Sequence, residues 1–411
     1  MKQPHGQPGF EPQPAGNRER PGVIVAGHIC LDVIPDMGGT GLSALSVPGA
    51  LINVGGALLS TGGAVANSGL ALNRLGVPAK LMGKIGNDAF GRLIAETLER
   101  HGAGIADGMI VGEGEQSSYS LVISPRGSDR IFLHCPGAND TFVADDVSAD
   151  SLAGAGLFHF GYPPLMKEMY AQDGRELEKL LAKAKGQGLT VSLDMSRPDP
   201  DSPAGQVDWR SLLSRVLPYV DLYLPSWEET AFMLGAGSLT ASGCDTPPSG
   251  AALAELSGQL LDMGAAVVGI KIGEEGLYVR TTSDKERLQA FGACRPDDAD
   301  QWEGRELLVP CFVTEVAGTT GAGDCTIAGL LCGLLHGLPP ERAMTAAVGV
   351  GACSVEALDA TGGLVPWSDV LRRIEAGWER RSTSLPLEGW RSADRGAVWI
   401  GPYDKRHANS V

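Results

Sequence analysis

The sequence has few features of a membrane-spanning, secreted or disulfide-stabilised protein. It contains no apolar run of about 18 residues and no apolar signal-peptide core at its N-terminus, which argues against a membrane span or secretion. Its eight cysteines are scattered, without a C-x-x-C pair, which argues against a disulfide framework or a zinc site. We therefore expect a soluble cytoplasmic protein that has no membrane partner.

Basic residues are scarce relative to acidic ones. Lys and Arg total 33 against 49 Asp and Glu, so the net charge is −16. Such a chain lacks the basic stripe that would neutralise nucleic-acid phosphates, and we expect no nucleic-acid partner. A single small anion is not excluded, because one local site can be positive on an acidic protein.

Several common catalytic motifs are also missing. The sequence has no G-x-x-x-x-G-K-[ST], which excludes a P-loop, and no G-x-G-x-x-G after its first strand, which argues against dinucleotide binding. It has neither the G-x-S-x-G of a nucleophile elbow nor the H-E-x-x-H of a zinc helix. Any chemistry must therefore come from a less common pattern.

The 411 residues are sufficient for one large α/β core with additions. Short apolar segments of β-type alternate with amphipathic helical patterns, which is typical of a mostly parallel sheet covered by helices on both faces. The predicted helices cover residues 64–75, 88–100, 175–186, 228–234, 251–263, 326–335 and 340–356.

Two segments break this alternation. Residues 36–61 are rich in Gly, Ser and Leu, and residues 115–135 alternate apolar and polar side chains around the turn PRGSDR. We predict that they form one small antiparallel flap beside the main sheet. Its exposed edge would allow two subunits to pair as a homodimer.

The composition also divides the chain. Residues 1–21 are rich in Pro, Gly and Gln and predict a disordered tail, whereas 22–377 predict one folded domain. Residues 378–411 predict an irregular, charged C-terminal extension. Within the domain, 235–250 and 284–304 are interpreted as surface insertions.

The stretch VTEVAGTTGAGDCTIAGLL places one acid where a glycine loop becomes a helix. Gly321, Ala322 and Gly323 can direct their N–H groups to one point, and the start of the helix adds a partial positive charge, so the loop predicts an anion site. Asp324 could simply stabilise the helix start, by about 0.3–1 kcal/mol. Alternatively, it could accept the proton of an attacking hydroxyl in phosphoryl transfer.

Two motifs resemble a known family. GTTGAGDCTIAG resembles the C-terminal signature D-T-T-G-A-G-D-x-F-x-A-G of the ribokinase-like (PfkB) carbohydrate kinases, and GGAVANSGLALNRLG followed by GKIGNDAFG resembles their N-terminal signature. The resemblance covers residues 22 to about 375. It implies a ribokinase-like three-layer α/β/α sandwich with a mostly parallel central sheet and a small antiparallel β lid, formed from the two flap segments.

The resemblance implies transfer of the γ-phosphoryl group of ATP, with Mg²⁺, to a hydroxyl of a monosaccharide or sugar derivative. A primary hydroxyl is expected to be the acceptor. Asp324 would be the base, and the amides of 321–323 would stabilise the transferring group. The implied substrate-side residues are Asp32, Gly62, Gly63, Asn67 and Asn139. The implied nucleotide-side residues are Ser226, Lys271, Gly273, Gly276, Thr320 and Gly323, and Glu229 is assigned to Mg²⁺.

Some positions have simpler explanations or depart from the family pattern. Apart from the resemblance, Asp32 would be read as a turn residue and Asn67 as a helix cap. Ser226 stands where the family usually has Asn, and Lys271 stands where Thr is common. Gly318 replaces the Asp of a loop that helps to hold the monovalent cation in potassium-activated members, so K⁺ dependence stays open.

Three alternatives to a sugar kinase are considered. A nucleoside kinase of the same family often stacks the base on aromatic side chains, and the flap offers Tyr119 and Phe132 but no Trp, which favours a sugar. A non-catalytic ligand-binding member is suggested by the departures at Ser226 and Gly318. A dehydrogenase is the most remote alternative, because the dinucleotide motif is missing.

Overall fold

The structure is a computed structural model and describes residues 21–126, 130–235 and 247–407. The predicted disordered tail, apart from Pro21, lies outside the described residues. So do the centre of the PRGSDR turn and most of the predicted insertion 235–250. None of the helices in the described ranges has the length and apolar character of a membrane span.

The strands of the described residues are numbered in chain order. They are β1 Gly22–Gly27, β2 Cys30–Pro35, β3 Ala57–Gly62, β4 Ala79–Met82, β5 Lys84–Gly86, β6 Ile110–Gly112, β7 Tyr119–Ile123, β8 Ile131–Cys135, β9 Ala155–Gly161, β10 Thr190–Leu193, β11 Leu222–Tyr223, β12 Val267–Lys271, β13 Leu277–Thr281, β14 Glu306–Val309, β15 Arg391–Ala393 and β16 Val398–Ile400.

The α-helices of the same ranges include all seven that the sequence predicts, with bounds that differ by at most a few residues. They are Leu42–Leu45, Ala64–Arg74, Ala89–Glu99, Ala149–Leu152, Lys167–Tyr170, Arg175–Gly186, Trp209–Val216, Trp227–Met233, Gly250–Asp262, Lys285–Gln289, Ala299–Trp302, Ala322–Leu335, Pro340–Ser354 and Trp367–Glu375.

The central sheet has ten strands within the described residues, in the order β15-β16-β14-β13-β12-β11-β10-β9-β1-β4. Neighbours from β4 to β12 are parallel, and neighbours from β12 to β15 are antiparallel. Because side chains alternate between the faces of a strand, Ile24 joins one buried cluster and Val23 joins another. Helices cover both clusters, so the predicted three-layer α/β/α sandwich with a mostly parallel sheet is confirmed.

The lid is a second, four-stranded sheet in the order β3-β2-β7-β8. Its outer pairs are antiparallel, as predicted, and its central pair, β2 with β7, is parallel. One apolar run of the sequence, VIVAGHICLDV, supplies both β1 in the central sheet and β2 in the lid. The chain changes sheets at Gly27, whose φ is +122° and where any Cβ would overlap the backbone of Gly161.

The structure corrects two expectations about additions to the core. The segment after 377 is not irregular throughout, because β15 and β16 extend the central sheet through β14. The segment 284–304 is not only a surface insertion, because Phe291 and Trp302 are buried in the core. The sequence pattern did not reveal β15 and β16, because a strand of three residues is too short to display the alternation of apolar and polar side chains.

A buried ion pair fixes the C-terminal addition to the core. The Arg305 guanidinium donates to Asp404 (2.9 Å) and to Glu341 (2.5 Å), and the side chains of Arg305 and Asp404 are both fully buried. Asp404 also accepts the backbone N–H of Glu306 at 3.0 Å. Removing one partner of such a pair leaves a buried charge uncompensated, which is strongly destabilising.

Replacing Asp404 by alanine is expected to lower the free energy of unfolding by about 3 kcal/mol, because Arg305 keeps its charge and loses one carboxylate. Urea unfolding followed by circular dichroism measures the change. Glu388→Ala is the matched control, since Glu388 is an exposed carboxylate of the same addition. Equal stability of the two variants would contradict a stabilising role of the Arg305–Asp404 ion pair.

Candidate active site

The carboxyl ends of the parallel strands and the start of the helix Ala322–Leu335 surround one cleft of about 430 Å³. Such an edge is where open α/β sheets bind ligands. The cleft brings together residues that lie far apart in the sequence. Its lining includes Tyr162, Ser226, Glu229, Lys271, Gly273, Gly276, Thr319, Gly321, Ala322, Gly323 and Asp324.

The glycine loop leads into the helix as the sequence predicts. Gly321 is the N-cap with φ of +71°, and a Cβ there would lie 2.5 Å from the Cβ of Ala360. The N–H of Cys325 donates to the carbonyl of Gly321 at 2.9 Å, so the amides of Gly323 and Asp324 precede the first regular intrahelical bond. The N–H of Ala322 instead donates to the carbonyl of Thr319 at 3.3 Å and closes the loop.

Asp324 is almost completely buried and is held by three donors. Its Oδ2 accepts from Asn67 Nδ2 at 2.9 Å and from the Tyr162 hydroxyl at 2.7 Å. Its Oδ1 accepts from the Ser68 hydroxyl at 3.3 Å. Asn67, which the sequence analysis assigned to the substrate, thus orients the predicted base. These donors satisfy both oxygens of the buried side chain, which would otherwise be costly to remove from water.

Sequence reasoning missed two of these donors. Tyr162 follows β9 directly and has left-handed backbone angles, φ 66° and ψ 45°, which cost about 1–3 kcal/mol for a non-glycine residue. Burial and the neighbouring Asp324 raise its pKa well above the ordinary value, so it remains a hydroxyl donor. The available signals were its place at a buried strand end and the adjacency of Ser68 to Asn67.

Lys271 brings a cation to the start of the helix. A Cβ on Gly323 would lie 3.7 Å from Lys271 Nζ, and Nζ donates to Asp194 Oδ1 at 2.6 Å. Burial opposes the charge of Lys271, but the carboxylates of Asp194 and Glu229 outweigh it and raise its pKa. The fully buried Asp194 Oδ2 has no hydrogen-bond partner among the described residues. The cleft therefore combines peptide amides with an ammonium group, which suits an oxyanion.

Ser226 and Glu229 form a capping box at the helix Trp227–Met233. The Ser226 hydroxyl accepts from the Glu229 N–H at 3.2 Å, and Glu229 Oε2 accepts from the Ser226 N–H at 2.6 Å. Ser226 is thus explained as a cap. Within the described residues no group of three or more His, Cys, Asp or Glu could hold a metal ion. Glu229 could still supply one ligand to Mg²⁺, which is commonly bound by one or two carboxylates plus phosphate oxygens.

A polar row crosses the inner part of the lid. Asp32 is paired in register with Ser60 of β3 and Ser120 of β7, and Ser120 is paired with His134 of β8. Directly paired residues lie on one face of a sheet, so these four side chains form one polar strip. The Ser120 hydroxyl lies 3.0 Å from His134 Nδ1. Hydroxyl and carboxylate groups of this kind suit a polyhydroxylated ligand.

The two predicted substrate glycines lie beside this strip. A Cβ on Gly62 would overlap the Asp32 carboxylate, and a Cβ on Gly63, where φ is +88°, would lie 2.6 Å from His28 Nδ1. Burial lowers the pKa of His28 to about 3, with a contribution from His134, whose Nε2 lies 3.4 Å from His28 Nε2. His28 is therefore neutral at physiological pH.

Asn139 does not have the role that the sequence analysis assigned to it. Its side chain is fully buried, its Oδ1 accepts from the Ile29 N–H at 3.2 Å, and its Nδ2 donates to the carbonyls of Ile29 (2.9 Å) and Pro136 (3.1 Å). The amide is occupied by backbone partners. Asn139 thus fixes the junction between β1 and β2 rather than facing a ligand.

Other predicted nucleotide residues are also explained locally. The Thr320 hydroxyl contacts the Arg130 guanidinium, which also donates to Thr319 Oγ1 at 3.1 Å, so the lid touches the glycine loop. Gly273 and Gly276 have φ of +49° and +108° and line the cleft. A Cβ on Gly276 would overlap the carbonyl of Val309, so the turn requires glycine there.

An aspartate at a helix start, beside a cleft and a polar lid, is the arrangement expected of a phosphotransferase that acts on an alcohol. The family model described as pfkB family carbohydrate kinase matches residues 21–367. The chain therefore belongs to the pfkB family of carbohydrate kinases.

Individual proteins agree with this assignment. An uncharacterized sugar kinase of Archaeoglobus fulgidus is 25% identical over 292 residues, 71% of this chain and 97% of the relative. A 2-dehydro-3-deoxygluconokinase of Bacillus subtilis is 24% identical over 292 residues, 69% of this chain and 77% of the relative. The structure of Arabidopsis thaliana ribokinase complexed with ribose and ATP shares the fold, with a TM-score of 0.64 and 19% identity over 86% of this chain and 98% of that chain.

The pKa of Asp32 predicts a pH-dependent stability. Burial raises this pKa from 3.8 to about 6. Between these values the folded state binds a proton that the unfolded state has lost, so this group lowers the free energy of unfolding as pH rises. Relative to the parent, Asp32→Asn should gain up to about 3 kcal/mol between pH 4 and pH 7.5.

Urea unfolding at several pH values in this range tests the sign. Asp36→Asn, a change at an exposed carboxylate just after the same strand, is the control and should show no such gain. A relative stability of Asp32→Asn that is constant with pH, or that falls as pH rises, would refute the prediction.

Proposed function

We propose that this carbohydrate kinase transfers the γ-phosphoryl group of ATP to a hydroxyl, expected to be a primary one, of a monosaccharide or sugar derivative. The observation that carries the proposal is the position of Asp324. Its carboxylate lies in the first turn of the helix Ala322–Leu335, held by Asn67 and Tyr162, and lines the same cleft as Lys271. A base is thereby held next to an anion site.

The chemistry follows from this arrangement. The acceptor hydroxyl hydrogen-bonds to Asp324 and loses its proton to the carboxylate as its oxygen attacks the γ-phosphorus. The bond from that phosphorus to the β,γ-bridging oxygen breaks, and ADP leaves with the bonding electrons. The amides of Gly321 and Gly323, with the ammonium group of Lys271, stabilise the negative charge of the phosphoryl oxygens. The amide of Ala322 contributes less than the sequence analysis predicted, because Thr319 already accepts from it.

The sugar would lie between the lid and the carboxyl ends of the strands. Asp32 would accept hydrogen bonds from sugar hydroxyls, and the backbone at Gly62 and Gly63 would allow the sugar to approach closely. Asn67 orients Asp324 through a hydrogen bond and would help to position the same hydroxyl. The lid excludes water, which would otherwise compete as the nucleophile.

ATP would lie along Gly273 and Gly276 towards the helix Pro340–Ser354. Val348, Ala352 and Val355 provide an apolar wall for the base. The phosphates would reach Lys271 and the first amides of the helix Ala322–Leu335, and Thr319 and Thr320 would lie beside them. When bound, Mg²⁺ would neutralise phosphate charge, and Glu229 is the carboxylate that would hold it.

The comparisons support a sugar as the substrate class. Both relatives are named as sugar or sugar-acid kinases, and the Arabidopsis thaliana ribokinase is described with ribose and ATP. A cytoplasmic location and a homodimer through the exposed lid edge belong to the same proposal. K⁺ is not part of the proposal: Gly318 supplies no carboxylate, and a Cβ there would lie 3.1 Å from the carbonyl oxygens of Ala357 and Leu358.

Replacing Asp324 by asparagine is expected to lower kcat by at least about 1,000-fold, because the proton acceptor is lost while the shape is kept. ATP-dependent ADP release is the assay, and calorimetry should detect ATP binding that stays within about threefold of the parent. Asp369→Asn, a change at a half-buried carboxylate in another helix outside the cleft lining, is the control. Near-parental turnover in Asp324→Asn would remove Asp324 as the base.

The substrate class has its own test. ADP release would be measured with fructose, ribose, 2-dehydro-3-deoxygluconate, adenosine and inosine under identical conditions. The proposal predicts that a sugar or sugar acid has the highest kcat/KM. A preference for nucleosides would favour the nucleoside-kinase alternative. Ligand-induced shifts in Tm without ADP release across the panel would indicate a non-catalytic binding protein.

A further inference from the structure

Part of the cleft wall comes from outside the family-matched region. Residues 378–384, which we term the C-terminal strap, follow the helix Trp367–Glu375 and lie beyond the matched residues 21–367. The N–H of Val313 donates to the carbonyl of Glu379 at 2.9 Å, and the N–H of Arg381 donates to the carbonyl of Cys311 at 2.8 Å. The strap is thus paired in an antiparallel manner with the segment after β14.

Side chains fix the strap further. The rings of Trp378 and Phe312 stack with centroids 4.4 Å apart, and Trp378 Nε1 donates to the carbonyl of Val313 at 2.8 Å. The Arg380 guanidinium lies 3.8 Å from the centroid of Phe312 and donates to the carbonyl of Pro310 at 2.8 Å. The strap backbone therefore has a defined position before any ligand arrives.

The strap also meets the proposed nucleotide turn. Glu275 accepts from the Thr383 hydroxyl at 2.7 Å and from the Ser384 N–H at 3.0 Å. The Arg381 guanidinium donates to Glu274 at 2.6 Å and lines the cleft. A side chain from the C-terminal extension is thereby held beside the turn along which ATP would lie.

The charged residues that line the cleft indicate a role for Arg381 in binding an anion. The lining contains four carboxylates, of Glu228, Glu229, Glu274 and Asp324, and two basic side chains, of Lys271 and Arg381. A nucleoside triphosphate carries several negative charges, and Lys271 is already engaged by Asp194 in a buried pair. Arg381 is thus the second cation available to offset repulsion between the ligand and these acids.

The Arg381–Glu274 ion pair is weak enough for Arg381 to exchange Glu274 for another anion. The side chains of Arg381 and Glu274 are 43% and 72% exposed, and ion pairs this exposed contribute little to stability. A guanidinium also binds phosphate oxygens through two parallel hydrogen bonds, which are stronger than a single exposed contact. The guanidinium can therefore leave Glu274 for a phosphate without disturbing the strap backbone.

We propose that Arg381, supplied by the C-terminal strap, is a binding residue for the phosphate chain of the nucleotide. This inference rests on the proposed function, because it requires a nucleoside triphosphate in this cleft. Arg381 binds the nucleotide in its ground state and takes no part in proton transfer. The strap thus completes a nucleotide site that the family-matched region forms only in part.

Calorimetric titration of the full chain with ATP and with adenosine tests the proposal, alongside steady-state kinetics. Arg381→Gln is expected to weaken ATP binding and raise the KM for ATP about tenfold, with kcat and the KM for the sugar within about twofold of the parent. Adenosine binding should be unchanged, because adenosine has no phosphate. Arg381→Lys should retain part of the ATP affinity.

Arg395→Gln is the matched control, since it removes the same charge from an exposed position of the same extension, outside the cleft lining. Parental ATP affinity in Arg381→Gln would overturn the proposal. So would equal weakening of ATP and adenosine, or a fall in Tm together with kcat, since each indicates a structural role. If Asp324→Asn stays active, the proposed base fails, whereas the calorimetric comparison still decides the role of Arg381.

Discussion

The site depends on supplying hydrogen-bond donors to one carboxylate that is buried away from water. Burying an unpaired carboxylate would cost several kcal/mol, so Asp324 requires compensation. Three donors and the partial positive charge of a helix start supply it, from the helix Ala64–Arg74, from the end of β9 and from the helix that bears Asp324. The packing of these three elements is therefore also what would hold the proposed base in place for proton transfer.

Local features of the fold could be predicted because local periodicity encodes them. The seven predicted helices have repeats long enough to recognise, and the glycine loop carries its own conformational requirement at Gly321. The helix after that loop begins at Ala322, earlier than predicted, because small residues conceal the apolar period. Tertiary contacts could not be predicted from local periodicity. Tyr162 and Ser68 are 162 and 256 positions away from Asp324, and only the folded chain brings them together.

Two residues show how far a motif can be carried over. Asn139 occupies the expected turn, but the motif does not say which way its side-chain amide points. In the structure this amide hydrogen-bonds to backbone groups of Ile29 and Pro136. Lys271 departs from the family's common Thr, and a buried ammonium needs a counter-charge, which Asp194 provides at 2.6 Å. Both outcomes are set by hydrogen-bond and charge satisfaction in the interior, which a motif does not record.

The continuous run from β1 into β2 constrains how the lid can move. In the central sheet, Val23–Ala26 of β1 are paired with a neighbouring strand on each side, β4 and β9. In the lid, Leu31–Val33 of β2 are likewise paired with β3 and β7. A change in lid angle must therefore be absorbed by the few residues between them, Gly27 to Cys30. Asn139 hydrogen-bonds to both backbone groups of Ile29, so this short hinge has little freedom to move. Any change in lid angle would therefore rotate the polar strip of the lid about a point beside the proposed substrate cleft.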